Sequence, residues 1–157
     1  MIYVATGTQD KQFTRLLKIV NNAVKKGIVK DKVIVQKGHT VFSSDLLEII
    51  DFATDEEMDK YINDADLVVT HGGIGIITNA LSKGKKVFAM ARLNKYGEHI
   101  NDHQVQIVEK FNKMGYLKRI NDFDDFVREY QSINKFKPKK FKTDNSKMLD
   151  IISDFIG

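Results

Sequence analysis

The chain has 157 residues, 42% of them apolar and 29% charged, with a single proline and no cysteine. That length fits one domain able to bury a core unaided; the composition excludes a disordered polymer, and the missing thiols exclude disulfides, thiolate zinc sites and cysteine nucleophiles. The net charge is +4, and much of it sits in KFKPKKFK at 135–142, which leaves no uniform footprint for nucleic acid.

Met1 leads straight into an apolar strand candidate, IYVAT at 2–6. No signal-peptide pattern precedes it, and no apolar run reaches the roughly 20 residues that span a bilayer, so the expected location is the cytoplasm. Phe13, Leu16, Leu17, Val20 and Val24 then recur at helical spacing and predict an amphipathic helix over 12–26. Strand candidates follow at KVIVQ (32–36) and LEIIDFA (47–53). Thr54 and Glu57 have the spacing of a capping box, which predicts a helix from there to about Ala65.

The next strand candidate, LVVTH (67–71), runs through glycines into a helix expected over 76–82, and KVFAMA (86–91) follows. Asn101 and Gln104 repeat the capping-box spacing, predicting a helix through Val105, Val108 and Phe111 to Met114, with Gly115 as its stop. YLKRI (116–120) is a weaker strand, FDDFVREYQ a further helix and SKMLDIISDFI a last one. Apolar β-branched runs alternating with helix-period runs predict an α/β fold, a Rossmann-like parallel sheet of about six strands with helices on both faces. The expected organisation is a body over 1–133, a basic linker over 134–145 and a C-terminal helix over 146–157. That helix carries Met148, Leu149, Ile152, Phe155 and Ile156 along one stripe, suited either to docking a partner or to packing back on its own domain. The basic tract before it fits either a solvated linker or peripheral contact with anionic lipid.

In LVVTHGGIGIITNAL, residues 67–81, the strand ends and Gly72, Gly73 and Gly75 precede the helix. Glycines there permit positive φ and close approach, and the unpaired amides of the helix start offer a positive end to an anion. A diphosphate is the natural guest. Thr78 breaks the G-x-G-x-x-G pattern and no Gly-Lys-Ser/Thr follows, which disfavours a hydride-transfer cofactor and an NTPase loop. A second turn, Thr6-Gly7-Thr8, follows the first strand and would reach the same ligand if the two strands are parallel. A third polar stretch, KYGEHINDHQ at 95–104, offers Glu98, His99, Asn101, Asp102, His103 and Gln104 to sugar hydroxyls and phosphates. His99 and His103 stand four apart, but His99 falls before the predicted helix and H-E-x-x-H is absent, so no metal is expected.

MIYVATGTQDKQFTRLL, KVIVQKG, DADLVVTHGGIGIITNALSKGKKV and KYGEHINDHQ, in this order, resemble the C-terminal domain of glycosyltransferase family 28 in its stand-alone form. The resemblance covers most of 1–115. It implies the nucleotide-sugar half of a GT-B fold and a soluble subunit of a two-component enzyme of the bacterial capsule or exopolysaccharide type. A membrane-associated partner would supply the acceptor half and the site for a lipid-linked saccharide, and would recruit the chain to the inner face of the membrane.

Carried onto this sequence, the resemblance puts the diphosphate of a UDP-sugar at Gly72, Gly73, Ile74 and Gly75, with Gly7 and Thr8 nearby and His71 lining the site. It puts Asn79, where relatives are often acidic, near the ribose, and turns Glu98, His99, His103 and Gln104 toward the donor sugar or the partner. Relatives also tend to have proline near Lys86 and Ala91, where this chain has none. The implied reaction is an inverting transfer without metal or other cofactor. Its general base would come from the partner, with Glu98 and His99 as the candidates on this chain. Two other classes stay open on the sequence: a noncatalytic enhancer subunit and, further off, a nucleic-acid-binding module.

Overall fold

The computed structural model describes residues 1–141. The helix expected over 146–157 and the end of the expected linker lie outside the described residues. The elements in chain order are β1 (Ile2–Ala5), α1 (Thr14–Lys25), β2 (Val33–Gln36), β3 (Glu48–Ile50), α2 (Asp55–Asp64) and β4 (Leu67–His71). They continue with α3 (Ile74–Ser82), β5 (Lys86–Met90), α4 (His103–Lys113), β6 (Lys118–Arg119) and α5 (Phe123–Gln131), with short 3-10 turns at Asn94–Tyr96 and Ile133–Lys135.

The strands form one parallel sheet in the order β3-β2-β1-β4-β5-β6. This is a doubly wound, Rossmann-like topology, and its winding reverses between β1 and β4. Strand side chains alternate between two cores as a pleated sheet requires. Tyr3, Ala5, Val68, Val87 and Ala89 face Ile62 of α2, Ile77 and Leu81 of α3, and Val108 and Phe111 of α4. Ile2, Val4, Val33, Val35, Val69 and Phe88 face Leu16, Leu17 and Val20 of α1 and Phe126 of α5.

The Thr54 capping box is present in both directions: the Glu57 amide donates to Thr54 Oγ1 at 3.1 Å, and the Thr54 amide donates to Glu57 Oε1 at 3.2 Å. The second expected box is absent. Helix α4 starts at His103 with Asp102 as its N-cap and no capping side chain. Asn101 Oδ1 accepts from the His103 amide instead, and Gln104 is drawn elsewhere. The strand expected over 47–53 is only three residues long, and beyond it the amides of Lys37 and Gly38 still donate to Ile50 O and Asp51 O. Of the segment expected as a linker, residues 134–141 lie against the body. The Lys139 amide donates to Gly115 O at 2.9 Å, and Phe141 is buried beside Phe111 and Tyr116. Among the described residues no helix is long and apolar enough to cross a membrane.

Candidate functional site

β1 and β4 are parallel neighbours, with Ala5 beside Thr70. The turns that follow them, Thr6-Gly7-Thr8 and Gly72–Gly75, therefore stand together at the carboxyl edge of the sheet, astride the point where the winding reverses. That crevice is where open α/β sheets bind ligands. The last residue of β4, His71, is 9% exposed and lies between the turns.

The glycines here act through space more than through torsion. Gly72, Gly73 and Gly75 all have φ outside the positive range, contrary to the sequence expectation; of the glycines in these two turns only Gly7 is left-handed, at φ +89°. A Cβ on Gly7 or on Gly73 would lie 2.7 Å from His71 Nε2, and one on Gly72 would lie 2.7 Å from Gln104 Cβ. Gly75 has open space around it. Helix α3 also begins two residues before the expected start, with Gly73 as N-cap and no side chain capping it. The amides of Ile74, Gly75 and Ile76, the first of the helix, therefore have no intrahelical acceptor.

Gln104, 5% exposed, ties three pieces of this edge together. Its Oε1 accepts from the amides of Gly72 (2.9 Å) and Arg92 (3.0 Å), while Nε2 lies 3.2 Å from His71 Nδ1. Burial and then the nearby Arg92 charge pull the His71 pKa down to about 3, so the imidazole is neutral at physiological pH.

Sequence reasoning missed Arg92. It stands two residues beyond the end of β5, is 1% exposed and holds two loops at once. Its guanidinium donates to Thr6 O from Nε (3.2 Å) and Nη2, and from Nη1 to Lys11 O and Glu98 O, both at 3.0 Å. The Phe13 ring covers it at 4.9 Å. An arginine closing an apolar strand was the available signal. Gly38 was missed as well: its φ is +57°, and a Cβ there would meet Gly7 O at 2.5 Å, so the turn after β2 braces the turn after β1.

Glu98, read from sequence as a donor-facing residue or base, is a buried structural acceptor. Arg15 grips it with two bonds, Nη2 to Oε1 at 2.9 Å and Nε to Oε2 at 3.1 Å, and the Leu93 amide donates to Oε1 at 2.9 Å. His99 accepts the Asn101 amide at Nδ1 (3.3 Å), and burial followed by the Arg92 charge lowers its pKa. A neutral ring bonded this way carries its proton on Nε2 and presents a donor, not a free basic nitrogen. His103 and Thr8 are exposed at the rim. Asn79 is engaged at both ends: Nδ2 donates to Asp59 Oδ1 of α2 at 3.0 Å, and Oδ1 accepts from Lys83 Nζ. The described residues contain no group of three or more His, Asp or Glu placed to hold a metal ion.

A doubly wound sheet with an uncapped helix start and glycine-lined turns at its switch point is the open α/β architecture whose ligand crevice lies at the carboxyl ends of the strands. Residues 1–155 match the glycosyltransferase family 28 C-terminal domain, and the chain belongs to that family. It is 28% identical over 80 residues to the UDP-N-acetylglucosamine transferase subunit ALG13 of Candida albicans, a match covering 51% of this chain and 26% of that protein. Among solved structures, the solution structure of ALG13 aligns over 97% of this chain and 94% of its own, with TM-score 0.61 and 18% identity. The glycotransferase of kitacinnamycin aligns over 87% of this chain and 36% of its own, with TM-score 0.62 and 18% identity. This chain thus spans about a quarter of the curated relative's length. The solved structures speak to the fold, which is that of the glycosyltransferase domains.

Proposed function

We propose that this chain is the donor-binding subunit of a two-component inverting glycosyltransferase that takes a hexose or N-acetylhexosamine from a UDP-sugar. The observation that carries the reading is the uncapped start of α3, with its free amides beside Gly7, Gly73 and the neutral His71. Preorganised amides of this kind stabilise negative charge growing on a departing UDP, an effect worth several kcal/mol at similar sites. The name of the Candida relative, a subunit of a UDP-sugar transferase, supports both the donor class and a division of labour between chains.

The acceptor hydroxyl attacks the anomeric carbon, its proton passes to a base, and UDP leaves. Glu98 is gripped by Arg15, and His99 presents its protonated nitrogen, so the base is assigned to a partner subunit. That partner is membrane-associated in this reading, binds a lipid-linked saccharide of a surface-polysaccharide pathway, and brings this chain to the cytoplasmic face of the membrane. Because residues 134–141 pack on the body, the body extends through Phe141, and docking of the partner by 146–157 belongs to the same proposal.

Calorimetric titration of the purified chain with UDP, UDP-galactose, UDP-glucose and UDP-N-acetylglucosamine tests the reading, with Gly73→Asp as the control that fills and charges the turn. Binding abolished by the variant supports a diphosphate cradle; strong turnover by the chain alone refutes the split enzyme. The internal engagement of Glu98 and Gln104, both expected to face the donor sugar, favours a second reading as a noncatalytic enhancer. An enhancer would stimulate its partner without binding nucleotide.

A further inference from the structure

Gln104 belongs to a stretch that the sequence turns toward the donor sugar, yet every polar atom of its side chain is occupied inside the protein. The arrangement fixes more than a loop. Two backbone N–H groups, of Gly72 and Arg92, converge on one end of the amide, and only an oxygen can accept both. The other end, facing His71 Nδ1 at 3.2 Å, is therefore the NH2 group, which can only donate. A donor facing Nδ1 requires that nitrogen to be bare. The tautomer with hydrogen on Nδ1 and the doubly protonated ring would both set N–H against N–H.

We infer that Gln104 is a positioning residue that locks His71 into its Nε2–H tautomer and aims that N–H into the gap between Gly7 and Gly73. The destination is consistent with the contacts. Among the described residues Nε2 has no hydrogen-bond partner and no buried side-chain nitrogen or oxygen is left unsatisfied, so this atom reaches the open side of the turn. The two missing Cβ atoms at Gly7 and Gly73 are what keep the space beside it clear. His71 thus offers one hydrogen bond, without a charge, beside the amides of α3. That the acceptor of this bond is the donor diphosphate rests on the function proposed above; the tautomer itself does not.

The contact also explains why a glutamine is required. Glutamate at the same place would keep both bonds to Gly72 and Arg92 through a carboxylate oxygen, but it would present an acceptor to Nδ1 and draw a proton there. Gln104→Glu therefore preserves the anchor and reverses the message. A role confined to anchoring would leave the ring unchanged in this variant.

The test is long-range proton–nitrogen NMR of the four imidazoles in the 15N-labelled full chain, with His71 assigned by its loss in His71→Gln. The expected wild-type signature is a pyridine-type Nδ1 and a pyrrole-type Nε2 that hold constant from pH 5.5 to 8. The charged and titratable groups bearing on the ring are Arg92 and His99, and both oppose its protonation. In Gln104→Glu, Nδ1 is expected to become pyrrole-type, or the ring to titrate within that range, and UDP binding to weaken at least about tenfold. A wild-type ring with its proton on Nδ1, or an unchanged tautomer in the folded Gln104→Glu protein, would overturn the inference. Should the variant fail to fold, the wild-type spectrum alone decides. Absence of UDP binding in the wild type would remove the proposed function while leaving the tautomer result standing.

Discussion

Gly73→Ala isolates the close approach at the centre of the site. The backbone at Gly73, φ −75° and ψ 126°, suits any L-residue, so the added methyl meets no torsional penalty. Its difficulty is contact: the new carbon would stand 2.7 Å from His71 Nε2, far inside ordinary van der Waals separation. The ring is tethered at Nδ1 by Gln104, which limits how far it can retreat into the space that the side-chain-free Gly7 leaves on its far flank. Overpacking of this kind costs about 1–3 kcal/mol. At roughly 2–4 °C per kcal/mol for a domain of this size, Tm should fall by about 2–12 °C. Gly75→Ala is the control. It sits in the first turn of α3 with nothing within 4 Å of its Cβ, so the ordinary helix preference of alanine should raise stability by about 0.4–1 kcal/mol. Thermal and urea unfolding followed by circular dichroism measure both variants, and UDP titration shows whether the displaced ring matters to binding. Equal destabilisation by the two would refute the close-packing account and point to a general demand for flexibility.

Arg92→Met should be more damaging, because it strips donors from the carbonyls of Thr6, Lys11 and Glu98 at once. With about 1–3 kcal/mol for each buried acceptor left unpaired, a total loss above about 3 kcal/mol is expected, and a Tm within 2–4 °C of wild type would sink the idea that Arg92 clamps the two loops. His71 should make stability fall with acid. Its folded pKa is depressed to about 3 against about 6.5 unfolded, so the unfolded chain takes the proton first as pH drops below 6.5. The resulting slope is about 1.4 kcal/mol per pH unit through the window between those values, and urea unfolding should show a shallower slope in His71→Gln; identical slopes in the two proteins count against a buried neutral ring. Thr54→Ala should cost about 1 kcal/mol by removing the capping oxygen from the Glu57 amide, read from the urea midpoint at constant m-value. No change there would mean that α2 is held by packing alone.

The parts of the molecule legible in its sequence are those that physics writes locally. Alternation of Ile2, Val4 against Tyr3, Ala5 assigns each side chain to one of two cores through the pleat of the strand alone. Thr54 and Glu57 announce their helix because the two bonds of the box close over three residues. The same spacing at Asn101 and Gln104 misled, since the glutamine finds Gly72 and Arg92, 32 and 12 residues away, and those donors outcompete a local cap. The role of Arg92 went unread for a related reason: its acceptors at Thr6 and Lys11 lie 86 and 81 positions away, and the arginine that closes an apolar strand does not say which loops it holds. The glycine turn was legible as a site but not in its geometry. A run of glycines announces that side chains are excluded, without saying whether torsion or contact excludes them.

At Gly72 and Gly73 contact is the answer, and it has an electrostatic consequence. A phosphate site can be built from exposed lysines, which bind through charge and are screened by salt. This edge contains instead the start of α3, a neutral imidazole donor and, behind Thr6, a guanidinium that is 1% exposed and bonded to carbonyls. The fixed positive charge of Arg92 lies beneath the crevice, within reach of His71 electrostatically but sealed from a ligand by the loop it holds. Such a charge raises the potential felt by an anion in the turn and adds to burial, the larger cause, in keeping His71 from taking a proton, while Gln104 sets the tautomer of the ring. One buried arginine thereby serves both the shape of the loop and the protonation state of the residue beside it. The cost of burying it is met by the carbonyls and the Phe13 ring around it, which is why the loops after β1 and β5 must close on each other before the site exists.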